Sequence, residues 1–174
     1  AKVTVEAYKD SPEGTVKITI FDADGGSVAE TECPEGKAVL AIPGVHLWNG
    51  REDPYLYEAR AQLLVDGEAV DEISSRFGVR TFSVDPKEGF FLNGKSYPLH
   101  GVSRHQDRKG LGNALTRAHH DEDMALIREI GANTIRLAHY QHAQYFYDLC
   151  DKYGLVAWAE IPYITEHMPE GPGN

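Results

Sequence analysis

The sequence predicts a multi-domain chain: an immunoglobulin-like β-sandwich over residues 1–84, then a truncated (β/α)8 barrel of about three β/α units over residues 85–174. Three observations predict it. Apolar residues recur with period two before residue 84 and at helical spacing after it. Gly-containing turn signals separate the short apolar runs of the first part. In the second part the order strand–helix–strand–helix–strand makes two consecutive βαβ units, which implies parallel strands.

Taken in order, Val3, Val5 and Ala7 share one face of a first strand, and Val16, Ile18 and Ile20 share one face of a second. Asp22, Asp24, Gly25 and Gly26 form a turn cluster whose glycines can take positive φ. Strands follow at 37–42, 55–65 and 69–76, with Asp66-Gly67 as a two-residue hairpin signal between the last two. About seven short strands without a credible helix make a sandwich.

In the second part, residues 90–95 (Phe-Phe-Leu-Asn-Gly-Lys) predict a hairpin closed by a type I′ Asn-Gly turn. A strand follows at 97–104, then a Gly-rich loop at 106–113. A helix near 117–130 draws its apolar stripe from Met124, Leu126, Ile127 and Ile130, with Gly131 suited to the left-handed position after it. A strand at 133–138 leads to a second helix near 142–153, in which Phe146, Leu149, Cys150 and Tyr153 recur at spacings of three, four and seven. Gly154 stops that helix, and 155–159 form a third strand. A complete barrel needs about 250 residues, so these elements form either a small open sheet or the opening of a barrel. The tail at 168–174 carries no element signal and favours the truncated barrel.

The formal net charge of −10, from 27 acidic and 17 basic residues, repels a phosphate backbone and argues against nucleic-acid binding. No apolar run approaches the length of a membrane helix, about 18 residues. Cys33 and Cys150 lie in regions of different pattern and read as small buried hydrophobes. The compartment is not fixed by the sequence; a bacterial parent would be cytoplasmic or periplasmic.

Parallel α/β folds bind ligands beyond the carboxyl ends of their strands. Those ends carry Arg104-His105, His139-Tyr140 and Trp158-Ala159-Glu160. Two imidazoles and a carboxylate, with an arginine and a tryptophan beside them, suit a hydroxyl-rich ligand that needs polar partners and an aromatic platform. Each residue has a plainer reading. A lone strand-end histidine is usually structural, Arg136 inside the second strand can pair with Glu160, and Trp158 can be core. The coincidence across three strand ends carries the argument. Seven of the eight histidines lie between His100 and His167, yet no metal motif accompanies them, and His119-His120 is expected to face solvent in the first turn of its helix. There is no G-x-S-x-G elbow and no phosphate-binding glycine fingerprint.

On these residues the chain resembles glycoside hydrolase family 2, the β-galactosidase and β-glucuronidase group. Residues 91–95 (Phe-Leu-Asn-Gly-Lys) and 100–105 (His-Gly-Val-Ser-Arg-His) look like the start of that family's barrel. Residues 131–140 (Gly-Ala-Asn-Thr-Ile-Arg-Leu-Ala-His-Tyr), continuing to 150–155, resemble its first signature. Leu47-Trp48 and the Pro-Tyr-Leu-Tyr at 54–57 resemble the pattern of the sandwich before the barrel. Ser103, Leu137 and Gln141 depart from the usual residues and look like subgroup variation.

The resemblance implies that His105 and His139 contact the sugar in the −1 subsite. By it Arg104, Arg136 and Glu160 match active-site or supporting positions; Arg104 and Glu160 are expected to bind substrate, and Arg136, with Trp158 and Tyr140 from the strand ends, to support the site. The resemblance also implies a double displacement by two glutamates, one of which follows an Asn. The sequence holds no Asn-Glu pair, so no catalytic carboxylate is expected in this chain, and the chain alone is expected to be inactive. Residues 104–108 and 110–114 look more like β-galactosidases, which makes a β-galactoside the expected substrate. The alternatives are a β-glucuronidase of the same family and a non-catalytic carbohydrate-binding or scaffold module. Residues 161–167 lack a clean match to the metal-ligand segment of magnesium-dependent relatives, with Glu166 and His167 as its candidates. No metal or cofactor is assigned here, which leaves magnesium open for the parent enzyme. A homo-oligomer, formed partly through the exposed half-barrel, is expected.

Overall fold

Alternation in the first 84 residues builds six strands in two layers. They are β1 (Lys2–Glu6), β2 (Thr15–Phe21), β3 (Ser27–Cys33), β4 (Lys37–Ala41), β5 (Tyr57–Val65) and β6 (Glu68–Phe77). The computed structural model describes residues 1–10 and 13–162. The tail at 168–174, and Glu166 and His167 with it, lie outside the described residues. One layer has the order β3-β2-β5-β6 and the other pairs β1 with β4, all antiparallel. Val16, Ile18 and Ile20 are buried together with Leu40, Ile42, Tyr57 and Ala61, and Val3, Val5 and Ala7 pack against them. Asp66 and Gly67 both take positive φ, 52° and 82°, as a type I′ turn requires.

A seventh strand, β7 (Phe82–Asp85), leaves the sandwich for a small sheet with β8 (Gly89–Leu92) and β9 (Lys95–Ser96). Asn93 and Gly94 close the β8–β9 hairpin at φ 52° and 76°. The strand expected at 97–104 is shorter: β10 covers Gly101–Arg104. The Tyr97 N–H still donates to Phe90 O, Pro98 has no N–H, and the His100 N–H donates to Asn133 Oδ1. The parallel ladder therefore begins only at Gly101.

β10 pairs with β11 (Thr134–Leu137), and β11 with β12 (Val156–Ala159), all parallel. Helices α1 (Arg117–Glu129) and α2 (Gln144–Tyr153) cover one face, where Ile135 and Leu137 are buried with Met124, Ile127, Phe146, Leu149, Cys150 and Leu155. Because side chains alternate along a strand and parallel partners share a face, Ser103, Arg136 and Trp158 stand in register on the opposite face. Two expectations for α1 fail. Leu126 and Ile130 are exposed, whereas His120 is buried with Met124 and Ile127. The stripe that meets the sheet runs through 120, 124 and 127, at spacings of four and three, and 126 and 130 lie off it. His119 instead caps the helix: its Nδ1 accepts the Thr116 N–H at 3.1 Å.

The sandwich and the parallel sheet meet at residues 46–53. Trp48, 1% exposed, donates through Nε1 to Asp151 O at 2.9 Å, and Arg51 Nη1 donates to Ala132 O at 2.8 Å. Asn93 Nδ2 donates to Trp48 O and Asn49 Oδ1. The Leu47-Trp48 segment is thus a joint between the two parts.

Candidate active site

Three strand ends converge as expected. β10 runs into His105, β11 into His139 and Tyr140, and β12 into Glu160. The His105 and His139 rings meet edge to face at 5.1 Å between centroids, and His105 meets Tyr140 at 6.1 Å. The loops are tied from behind. The Gln106 N–H donates to Tyr140 Oη at 3.0 Å, and the Ala143 N–H donates to Gln106 Oε1 at 2.6 Å.

His139 sits at φ +70°, in the left-handed region that costs a residue with a Cβ roughly 1–2 kcal/mol. Glu160 holds it there. One carboxylate oxygen accepts the His139 N–H at 2.7 Å, and the other accepts Arg136 Nε at 2.6 Å. Gln141 Nε2 donates to Glu160 O, and Tyr147 Oη donates to Gln141 Oε1. The His139 N–H, followed by the Arg136 guanidinium, keeps the Glu160 carboxyl below the usual carboxylate range. A depressed carboxylate pKa contributes stability that is complete above the unfolded value, about 4.3, and is lost as pH falls below it. The clamp is therefore fully charged at neutral pH. Glu160→Ala is expected to speed hydrogen exchange of the His139 amide by at least about tenfold, because its acceptor is charged. Unchanged protection of that amide would show that Glu160 does not hold the turn.

Arg104 departs from its expected place. It is 6% exposed, and its register partner is Leu137, which faces the helices. Nε and Nη2 donate to Asp123 Oδ2 at 2.9 and 2.7 Å, Nη1 to His142 Nδ1 at 3.1 Å, and Nη2 to His120 Nδ1 at 2.9 Å. Its guanidinium also lies 4.0 Å from the centroid of the Phe146 ring. The strand end and the family resemblance both placed Arg104 beside the sugar; parity along β10 turns it behind the sheet instead. Arg136 and Trp158 do lie on the open face, with Trp158 65% exposed.

Asp123, His120, His142 and Gln106 were missed. The spacing of His120 and Asp123 with Met124 and Ile127 was the available signal for the first two. His142 and Gln106 lie in loops, where no periodicity marks them. Among the described residues, no group of three or more His, Cys, Asp or Glu is placed to hold a metal, and no helix is long and apolar enough to cross a membrane.

Comparison with known proteins supplies the context. The profile described as "Glycosyl hydrolases family 2, TIM barrel domain" matches residues 84–174, and that of "Glycosyl hydrolases family 2" matches 1–80. A β-glucuronidase of Bacteroides fragilis is 46% identical over 93% of this chain and 24% of its own length. The β-galactosidase BoGH2A of Bacteroides ovatus is 34% identical over 84% of this chain and 18% of its own. The crystal structure of an FMN-binding β-glucuronidase from Faecalibacterium prausnitzii L2-6 superposes with a TM-score of 0.83 at 47% identity, covering 87% of this chain and 24% of that one. The chain spans about a quarter or less of the length of these relatives.

Proposed function

The chain belongs to glycoside hydrolase family 2, and on that premise we propose that it forms one wall of the sugar site of a retaining enzyme that hydrolyses terminal β-glycosides by double displacement. The juxtaposition of His105 and His139 at the ends of neighbouring parallel strands carries this reading. Their ring nitrogens are the polar partners for sugar hydroxyls, and Trp158 on the open face is the aromatic platform. Glu160 and Arg136 hold His139 in its left-handed turn, and Tyr140 and Gln106 hold the loop after His105. Arg104 acts from behind the sheet rather than on the sugar.

Glu160 is neither the acid/base nor the nucleophile in this scheme, since both of its oxygens are occupied by Arg136 and His139. A retaining pair needs two carboxyls about 5–5.5 Å apart across the glycosidic bond. We assign that pair to the remainder of a protein of the relatives' length, residues 1–84 to its sandwich and 85–174 to the opening of its barrel. Self-association of the 174-residue chain by itself, through the exposed half-barrel at the unpaired edge of β12, belongs to the same proposal.

Of the two sugars, a β-glucuronide is favoured by the relatives at 46% and 47% identity. A β-galactoside is the second reading, supported by BoGH2A and by residues 104–114. The test compares the 174-residue chain with the full-length parent on aryl β-glucuronides and aryl β-galactosides. The chain alone is expected to release no aryl product above a denatured control, and the parent to prefer the glucuronide. Turnover by the chain would overturn the assignment of the carboxylates, and a parent preferring the galactoside would reverse the order of the sugars.

A further inference from the structure

Behind the sugar wall, one guanidinium is shared by two histidines. Arg104 has only donors, so each nitrogen it meets must accept. His120 Nδ1 and His142 Nδ1 lie 2.9 and 3.1 Å from Nη2 and Nη1. With both Nδ1 atoms accepting, both imidazoles are neutral and carry their proton on Nε2, which at His142 is a buried nitrogen without a hydrogen-bond partner among the described residues. The cluster is enclosed: Arg104, His120 and His142 are each 3–6% exposed, and Phe146 packs against all three. Protonating either histidine would remove an acceptor and set a second cation against the guanidinium.

The cluster is wired to the site. The Arg104 carbonyl accepts the Ala138 N–H at 3.0 Å, one residue before His139, while Arg104 itself immediately precedes His105. The His142 ring stacks on Tyr140 at 5.2 Å, and Tyr140 Oη accepts the N–H of Gln106. We propose that Arg104, His120 and His142 form a proton-sensitive joint that positions His105 and His139, and that proton uptake by either buried histidine loosens it. Arg104 is thus a positioning residue for the sugar site, a role that rests on the function proposed above.

The charged and titratable surroundings act in both directions. From β10 and its loop, Arg104, His105 and Arg108 face the cluster. From α1 come His119, Asp121, Glu122 and Asp123, and from α2 and the loop before it Tyr145 and Tyr140. Asp123 is already engaged by Arg104 and Arg108, Glu122 by Arg108, and Asp121 by Tyr145. For both histidines burial is the largest influence. The Ala138 backbone opposes it at His142 and the Asp123 and Asp121 carboxylates oppose it at His120, while Arg104 adds to it at both, and the balance holds the imidazoles below the ordinary histidine value. A depressed folded value means that stability is complete above the unfolded pKa, about 6.5, and is lost as pH falls below it.

The test begins on the unmodified 174-residue chain, with long-range proton–nitrogen NMR of the imidazoles. His120 and His142 are expected to show the Nε2–H tautomer at pH 7.5 and to remain neutral at pH 6. A protonated ring at pH 6.5, or the Nδ1–H tautomer in either residue, overturns the proposal. The second arm is the double variant His120→Asn with His142→Asn, in which each Oδ1 replaces Nδ1 as a non-titrating acceptor. Between pH 7.5 and 5.5 the wild-type chain is expected to lose at least about 4 °C more in melting temperature than the variant. Equal slopes overturn the joint. Neither arm contains a sugar, so their failure leaves the glycosidase reading intact. A shift of the acid limb of kcat/KM toward lower pH in the same variant of the full-length parent supports the positioning role, and an unmoved limb overturns it.

Discussion

Gly154→Ala is expected to destabilise the chain by roughly 3–5 kcal/mol, well beyond the price of its backbone angle. Gly154 ends α2 in the left-handed conformation at φ 75°, where an alanine costs about 1–2 kcal/mol. The remainder is steric. A Cβ there would overlap the carbonyl carbon and oxygen of Gly50 and stand 2.5 Å from Arg51 N. These are backbone atoms and cannot swing aside. The loop that carries them also holds Trp48 against Asp151 and Arg51 against Ala132, so the clash pries at the whole joint. Gly131 is the internal control. It takes φ 81° after α1, but the nearest atom to its added Cβ is Arg51 Nη1 at 4.0 Å. Gly131→Ala is expected to cost only the conformational term, about 1–2 kcal/mol. Urea denaturation of both variants measures the difference, and equal losses would show that the joint yields to Gly154.

Both glycines were legible in the sequence as helix stops, but only one proves to be a packing position. The difference is set by a loop about a hundred residues earlier, which local pattern does not reach. The same limit explains the other gains and losses. Asp66-Gly67 and Asn93-Gly94 predicted their hairpins because a two-residue turn requires positive φ at both positions, a wholly local demand. The alternation in β2 predicted its buried face for the same reason. Leu47-Trp48 resembled a family pattern, yet its work in joining the sandwich to the helices is visible only in three dimensions. Arg104 shows how a strand end misleads. It is adjacent to His105 in sequence, but its register with Leu137 turns it toward the helices, and that register is a long-range fact.

The site combines a strained residue with hydrogen-bonded supports. His139 in the left-handed region is the kind of local cost that persists when its surroundings determine it fully. Here they do, through the Glu160 carboxylate, the Arg104 carbonyl at Ala138 and the ring of His105. The histidines keep exposed edges for a ligand while Gln106, Tyr140 and Glu160 beside them are hydrogen-bonded. This arrangement of free functional edges on a fixed frame is what a pre-organised binding wall needs.

The floor of that frame is Phe146, and Phe146→Ala is expected to cost about 3–5 kcal/mol. The ring is fully buried, in the cluster with Met124, Ile135, Leu137 and Leu149. It also lies under the Arg104 guanidinium at 4.0 Å and beside the His120 and His142 rings at 5.9 and 6.4 Å. Truncation therefore leaves a cavity beneath a buried cation as well as beneath the apolar core. Phe146→Leu retains most of the volume but loses the aromatic face, so it is expected to cost about 1.5 kcal/mol for shape and a further ~0.5–2 kcal/mol for the lost cation–π contact. The two contributions separate in a double-mutant cycle with Arg104→Met, followed by thermal unfolding at pH 7.5. A coupling of about 0.5–2 kcal/mol between Phe146→Leu and Arg104→Met is expected if the guanidinium rests on the ring. Strict additivity would mean that the ring fills space only, and that Arg104 is held by Asp123 and the two histidines alone.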